Sequence, residues 1–144
     1  MPSFTLHPQL QADCHVLGWL LDCQLLLHRN PLLPWYILVP QTDAGELHQL
    51  DATQRREVDR AMDALARFVL AHHLCERTNV AAIGNRVPQL HIHVVGRWSG
   101  DPCWPDVVWG NLPDAGERRP GDLEMLWQAL TGLPGFVPVS VGTV

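Results

Sequence analysis

The pattern of apolar and polar positions predicts four strands. Cys23–His28 contains a continuous apolar run typical of a buried strand, and Trp35–Val39 is a second apolar run, closed by a proline. The turn between them is short enough for the two strands to pair antiparallel. Further along, Thr78–Ile83 and Gln89–Val95 flank a turn at 84–88 and predict a hairpin.

A long helix is predicted after Asp51. Asp51 followed by Gln54 resembles a capping box, in which side chains and backbone N–H groups bond each other at a helix start. Beyond it, apolar residues recur at helical spacing, while arginines and aspartates occupy the opposite face. This apolar stripe consists of Val58, Met62, Leu65 and Val69. The helix is expected to end near His72 and His73.

Two shorter helices are predicted near the ends of the chain. Pro8 can occupy the first turn of a helix, and apolar residues continue at helical spacing until Gly18, which can end it. A second helix is expected over 123–130, capped by Asp122 and ended by Gly132, and the final residues are apolar and extended. The chain is therefore predicted to be α+β, with a mainly antiparallel sheet and the long helix packed on one face.

Composition limits the partners and the compartment. The length of 144 residues fits one domain, 1–144, with a core over about 20–97 and an irregular tail with a terminal helix over 98–144. A formal charge of −5 argues against nucleic-acid binding, and no apolar run is long enough to cross a membrane. No secretory signal is visible, and the four cysteines lack the spacing of zinc or redox motifs. The expected location is the cytoplasm, with reduced thiols.

The candidate chemistry lies on the strand Gln89–Val95. Successive side chains of a strand point to opposite faces, so Gln89, His91 and His93 share one face and apolar residues the other. Such a pair of histidines can be structural, can bind zinc or iron with further ligands, or can include a nucleophile that attacks phosphorus. Alternation alone leaves these three interpretations open.

Two stretches of the sequence narrow the choice. Residues 87–97 read Val-Pro-Gln-Leu-His-Ile-His-Val-Val-Gly-Arg, and Asn30-Pro31 is followed upstream by Trp35-Tyr-Ile-Leu-Val-Pro40. Together they resemble the signature of the histidine triad (HIT) family of nucleotide hydrolases and transferases. The resemblance implies a HIT-like fold with a mainly antiparallel five-stranded sheet, a nucleotide substrate, no cofactor or metal, and a homodimer.

The same resemblance assigns the catalytic residues. His91 holds the middle position and would be the nucleophile, forming a nucleotidyl-histidine from a nucleoside phosphate ester, anhydride or phosphoramidate. His93 would hydrogen-bond the phosphoryl group. Gln89 stands where the family has its first histidine, and its amide can donate to a phosphate oxygen but cannot shuttle a proton near neutral pH. Two alternatives stay open: a nucleotide-binding protein with weak or lost catalysis, and a metal site on the two histidines.

Four further residues are candidates for binding the nucleotide. Asn79 and Asn85 would contact the phosphate or the leaving group, and Asn30 a ribose hydroxyl. Gly84 would permit a tight turn or a close approach of the backbone. Turn formation is the competing explanation for Asn30 and Asn85, because asparagine favours turns.

Two arginines and two tryptophans around this stretch have competing explanations. Arg86 and Arg97 could place positive charge near a phosphate, although solvation of the surface is the more common role. Trp104 and Trp109 could close over the site or stack on a base, but packing of the loop onto the core is expected for both.

Overall fold

A six-stranded antiparallel sheet organises residues 4–139, the part of the chain that the computed structural model describes. The α+β class and the mainly antiparallel sheet are confirmed. The elements follow in the order α1 (Pro8–Asp13), β1 (Cys14–Leu20), β2 (Cys23–His28), β3 (Trp35–Pro40), α2 (Ala52–His72), β4 (Arg77–Ala81), β5 (Ile92–Arg97), α3 (Pro120–Leu130) and β6 (Phe136–Pro138). A single 3-10 turn, Leu47–Gln49, precedes α2.

The sheet has one strand more than the five predicted. The segment expected to continue the first helix as far as Gly18 instead leaves the helix after Asp13 and forms β1, which pairs along its whole length with β2. A β-bulge between Val16 and Gly18 adds a residue to β1. The bulge spaces the buried residues Cys14, Leu17 and Leu20 three apart, and this spacing imitates a helix.

The strand order is β4–β5–β3–β2–β1–β6. Both predicted antiparallel pairs are present, β2 with β3 and β4 with β5. The two hairpins join through β3 and β5, where Ile37 lies opposite His93. Since side chains two apart in a strand share a face, Trp35 lies on the same face as Ile37 and His93.

The sheet separates two hydrophobic cores. On one face α2 and α3 pack through Val58, Ala61, Leu65, Val69, Leu126 and Leu130 against β-strand residues that include Tyr36, Leu38, Ile92 and Val94. On the other face a second cluster joins the N-terminal segment to the sheet and to the loop after β5. This second cluster includes Leu6, Leu10, Cys14, Leu26, Trp35, Ile37, Val95, Cys103 and Val108. Within β5 the predicted alternation is thus correct, because Ile92 and Val94 face α2 and His93 faces away.

The long helix α2 begins and ends where the sequence predicts. The Asp51 carboxylate accepts a hydrogen bond from the Gln54 backbone N–H at 2.8 Å, which is half of the expected capping box. The Gln54 side chain donates instead to the carbonyl of Gln41, so the reciprocal bond of the box is replaced by a tertiary contact. Over residues 4–139, no helix has both the length and the apolar surface needed to cross a bilayer.

The C-terminal part differs from the prediction at the start of its helix. Helix α3 begins at Pro120 with Arg119 as its N-cap, so the expected cap by Asp122 is wrong and Asp122 lies in the first turn. Pro120 supplies the preset backbone angle of the first helical position. The extended segment expected after the helix is present as β6, and the remainder of that prediction, residues 140–144, lies outside the described residues.

Gly18 allows β6 to join the sheet. It has a φ of +152°, and a Cβ at this position would collide with the Val137 carbonyl oxygen and lie 2.9 Å from the Pro138 Cα. Because Gly18 is paired with Pro138, β6 can approach β1 only where no side chain intervenes.

Candidate active site

His91 and His93 line a cavity on the sheet face opposite α2, which we call the histidine cavity. Its volume is about 560 Å³. The polar side chains that line it are Asp13, His28, Asn30, Asn85, Arg86, His91 and His93, and the remaining walls are mostly apolar. A larger groove of about 700 Å³ runs between α2 and residues 132–135, but no histidine or asparagine lines it. Because histidines and asparagines line it, the histidine cavity is the candidate active site.

His91 is held in one tautomer by the backbone. Its Nδ1 lies 2.7 Å from the carbonyl oxygen of Gln89. A carbonyl oxygen can only accept, so Nδ1 carries the proton and Nε2 is left with a free lone pair. Only 5% of the His91 surface is exposed. The nitrogen available in the cavity is thus the unprotonated one that a nucleophile requires.

His93 is held in the opposite tautomer. The indole N–H of Trp35 donates to its Nδ1 at 2.9 Å, so in the neutral ring the proton is on Nε2. Burial, reinforced by the neighbouring His91 and His28, lowers the pKa of His93 to about 4. At neutral pH His93 is therefore an uncharged hydrogen-bond donor.

The two rings are adjacent, with centroids 5.0 Å apart and planes at 69°. One presents a lone pair and the other an N–H group, so together they match the phosphorus and an oxygen of one phosphoryl group. This is the combination that nucleophilic attack with stabilisation of the developing charge requires.

Aromatic rings enclose His93 and Trp35. His28 stacks on Trp35 with a centroid distance of 4.3 Å and an angle of 14° between the planes. Trp109 packs edge-on against both Trp35 and His93, at 5.9 Å and 5.3 Å. Its own indole N–H is buried and has no hydrogen-bond partner among residues 4–139. Trp109 therefore forms part of the cavity wall, and its packing agrees with the expected role.

Gln89 lies at the edge of this arrangement. It precedes β5, which begins at Ile92 and not at Gln89 as the sequence predicts. Its side-chain oxygen accepts from the His7 backbone N–H at 2.8 Å, and its side-chain nitrogen donates to the Thr5 carbonyl at 2.9 Å. Both ends of the amide are thus bonded to the N-terminal segment, and Gln89 does not line the histidine cavity.

The candidate nucleotide-binding residues divide into two groups. Asn30 and Asn85 line the histidine cavity. The Asn30 side chain also closes its own turn, accepting from the backbone N–H of Leu32 at 3.0 Å. Gly84 lies between Ile83 and Asn85, which line the cavity, but does not line it itself. Asn79 is elsewhere, on β4, where its side-chain oxygen accepts from Arg97 at 2.8 Å.

Arg97 anchors the loop after β5. The residue is 1% exposed, and its guanidinium forms two bonds with the Asp101 carboxylate, of 2.7 and 3.0 Å. It also donates to the carbonyl of Asp106 at 2.8 Å, and Trp104 lies over it at 5.7 Å. This network holds the segment that continues into Trp109. Of the two arginines considered for a phosphate, Arg86 lines the cavity and Arg97 does not.

A metal site would need a third ligand near the two histidines. Within residues 4–139 no three His, Cys, Asp or Glu side chains are grouped so that they could hold one ion. Cys14 lines the cavity, but burial, with a contribution from Asp13, raises the pKa of its thiol to about 12. In the cavity without a metal, a thiol of this pKa is protonated at neutral pH.

Three residues that shape this site have no sequence signal of their role. Trp35 and His28 are predictable from the sequence only as strand residues, because their contacts depend on the register between strands. Arg118 donates to the carbonyls of His28, Asn30 and Leu33 at 2.8, 2.7 and 2.6 Å, and so fixes the turn that carries Asn30. An arginine in an irregular tail gives no sequence signal of this role.

Comparisons with known proteins agree with this geometry. The profile of the HIT domain matches residues 9–100. The fold is similar to a histidine triad protein from Bradyrhizobium japonicum, with 32% identity, a TM-score of 0.86 and coverage of 92% of this chain and 98% of that chain. The same values hold for a histidine triad protein from Sinorhizobium meliloti 1021. A histidine triad protein from Marinobacter aquaeolei VT8 gives 36% identity, a TM-score of 0.84 and coverage of 90% and 95%.

No curated protein gives a significant match. The domain profile spans more than half of the chain, and the similar structures exceed 30% identity over nearly its whole length. The chain therefore belongs to the histidine triad family, whose members are generally nucleotide-binding hydrolases or transferases.

Proposed function

We propose that the protein is a nucleotide hydrolase or nucleotidyl transferase that acts through a covalent intermediate on His91. The substrate would be a nucleoside phosphate ester, anhydride or phosphoramidate. The observation that carries this proposal is the pair of opposite tautomers, with a free lone pair on His91 and an N–H on His93 facing one cavity.

In the first step, His91 Nε2 forms a bond to the α-phosphorus. The bond from phosphorus to the leaving group breaks, and the leaving group departs with the electron pair. The His91 ring then carries positive charge, which the Gln89 carbonyl stabilises by accepting the Nδ1–H bond. His93 donates its Nε2–H to a phosphoryl oxygen, where negative charge develops.

In the second step, water attacks the phosphorus, and Nε2 leaves with its electron pair. The products are a nucleoside monophosphate and a proton released to solvent. An acceptor hydroxyl in place of water would give transfer instead of hydrolysis.

The size and lining of the cavity suit a nucleotide. About 560 Å³ lies within the range of small-molecule sites. Arg86 and Asn85 line one side and can bind phosphate oxygens, and Asn30 can reach a ribose hydroxyl. Apolar side chains such as Ile37 and Val108 form part of the remaining cavity lining.

A second candidate function is nucleotide binding without efficient turnover. It is favoured by Gln89, whose amide is bonded to the N-terminal segment. The first triad position then supplies no side-chain group to the cavity. In this case affinity for a nucleotide would be measurable, but the covalent intermediate would not form.

Intact-mass spectrometry after incubation with an adenylylated substrate that has a good leaving group tests the proposal. The wild-type protein should gain the mass of one nucleoside monophosphoryl group, and His91→Ala should not. His48→Ala is the matched control, because His48 is exposed on the turn before α2 and should be labelled like the wild type.

The outcomes separate the two candidates. Stabilisation by the nucleotide product in a melting experiment, without labelling or turnover, would favour the binding protein. Labelling that persists in His91→Ala would show that another residue is the nucleophile and would refute the proposed mechanism.

A further inference from the structure

Gln89 makes three hydrogen bonds in two directions. Its side-chain amide bonds to the N-terminal segment, accepting from His7 at 2.8 Å and donating to Thr5 at 2.9 Å. Its backbone carbonyl accepts from His91 Nδ1 at 2.7 Å. One residue therefore contacts both the N-terminal segment and the nucleophile of the proposed reaction.

The N-terminal segment that Gln89 holds is part of the cavity wall. His7 is the N-cap of α1, and its own ring accepts from the Gln9 backbone N–H. Leu6 and Leu10 are buried on either side of His7, and Leu10 lines the histidine cavity. Fixing the His7 backbone thus fixes where α1 begins and where this wall stands.

A carboxamide suits this contact because it presents one acceptor and one donor side by side. The two groups match the N–H of His7 and the carbonyl of Thr5, as a neighbouring strand would. The two nitrogens of an imidazole ring point in diverging directions, so a histidine at position 89 could satisfy only one of these groups.

Only Leu90, which is 4% exposed, separates Gln89 from His91. We propose that Gln89 is a positioning residue. By fastening its side chain to the N-terminal segment, it holds its own carbonyl where that oxygen selects the tautomer of His91. This inference rests on the proposed role of His91 as nucleophile, and it assigns to the first triad position a function other than contact with phosphate.

The test uses Gln89→Met, which keeps the length of the side chain and removes both amide groups. A second variant, Gln89→Glu, keeps an acceptor for His7 but cannot donate to Thr5. The matched control is Gln9→Ala, which removes the exposed contacts of Gln9 with Asp13 on α1 and leaves the bonds of Gln89 intact.

Three quantities are measured for each protein. Long-range ¹H–¹⁵N correlation spectra without substrate report the tautomer of His91. Hydrogen exchange reports protection of the His7 amide. Intact-mass kinetics report the rate of labelling by the adenylylated substrate.

In Gln89→Met we expect a mixture of His91 tautomers, about tenfold faster exchange at His7, and labelling slowed by roughly 10- to 100-fold. Gln89→Glu loses only the bond to Thr5, so it should change the tautomer and the labelling rate in the same direction by less, with His7 exchange close to that of the wild type. Gln9→Ala should resemble the wild type in all three.

The proposal is overturned if Gln89→Met keeps the single His91 tautomer. It is also overturned if labelling slows while the tautomer and the His7 exchange rate stay unchanged, since the amide would then act directly on substrate. The tautomer and exchange measurements need no substrate. If they change as expected in a protein that never becomes labelled, the proposed function fails and the positioning role stands.

Discussion

Replacing Trp35 by phenylalanine isolates the bond that defines the role of His93. The substitution removes the indole N–H, which donates to His93 Nδ1 at 2.9 Å, and leaves an aromatic ring in the stack with His28. Without this donor, Nδ1 of His93 is free to take a proton. Trp35→Phe should therefore raise the pKa of His93 and weaken the preference for the Nε2–H tautomer.

The size of the expected rise in the pKa of His93 follows from the free energy of one hydrogen bond. Burial and the neighbouring His91 and His28 lower the pKa of His93 to about 4, and these causes persist in the variant. A neutral hydrogen bond contributes about 1 kcal/mol net, which corresponds to roughly 0.5 to 1 pKa unit. The pKa of His93 should rise by that amount and stay below its ordinary value of 6.5.

Titration of the His93 ring by NMR measures this shift directly, and Trp109→Phe is the matched control. Trp109 packs against the same ring at 5.3 Å, but its indole N–H has no partner among the described residues. Both variants remove similar volume from one cavity wall. Only Trp35→Phe removes a hydrogen bond, so only it should shift the pKa of His93 upward by this mechanism.

The pH dependence of stability provides a second measurement. Because the pKa of His93 is lower in the folded protein, the unfolded chain binds the proton more tightly. The stabilisation that uncharged His93 contributes is fully present above its ordinary pKa of 6.5. It is lost as pH falls toward about 4, and the loss is roughly 3 kcal/mol for this group. Trp35→Phe should reduce this loss by roughly 1 kcal/mol. An unchanged His93 pKa, or an equal rise in both variants, would refute the argument.

Two further predictions concern the framework around the site. Asp101→Asn leaves the Arg97 guanidinium buried without a carboxylate, so urea titration should show a loss of about 3–5 kcal/mol. Burial opposes ionisation of Asp101, but bonds from Arg97 and backbone N–H groups outweigh it and lower its pKa. In the wild type this contribution should therefore persist near pH 3.8 and be lost only as pH falls through the lowered pKa. Gly18→Ala should destabilise by about 2 kcal/mol or more and speed amide exchange in β6, because its Cβ collides with Val137. Gly121→Ala, where a Cβ meets nothing within 4 Å, is the control and should stay within about 0.5 kcal/mol of the wild type.

Hydrophobic periodicity correctly predicted the helices and strands in which apolar positions recur without interruption. The stripe of α2 and the apolar runs of β2 and β3 lie within one or two residues of their predicted bounds. It failed at β1, where the bulge at Leu17 gives a strand the spacing of a helix. A bulge is a property of pairing with a neighbour, so no local pattern could reveal it.

The candidate site shows the same difference between what a local pattern predicts and what contacts between distant segments decide. Alternation predicted that His91 and His93 share one face, because it depends only on neighbours in the sequence, and both side chains line the histidine cavity. It could not place Trp35 beside His93, since that contact depends on the register of β3 against β5. Alternation also placed Gln89 on the face of the two histidines, and the family resemblance directed its amide toward a phosphate oxygen. In the structure the amide bonds instead to a segment more than 80 residues away. Contacts between residues so far apart in the sequence depend on how the folded segments pack against each other.

The partners of the two histidines make identical side chains chemically different. A carbonyl at Nδ1 leaves His91 a lone pair on Nε2, and an indole N–H at Nδ1 leaves His93 a proton on Nε2. In these tautomers one ring can attack phosphorus while the other binds an oxygen of the same group, and no proton has to pass between them. The same arrangement limits the proposed reaction. Because the pKa of His93 is about 4, almost no His93 ring is in the charged form at neutral pH, so this ring has no extra proton to give to the leaving group. With the Gln89 amide bonded to the N-terminal segment, the leaving group has to depart as an anion or take its proton from water.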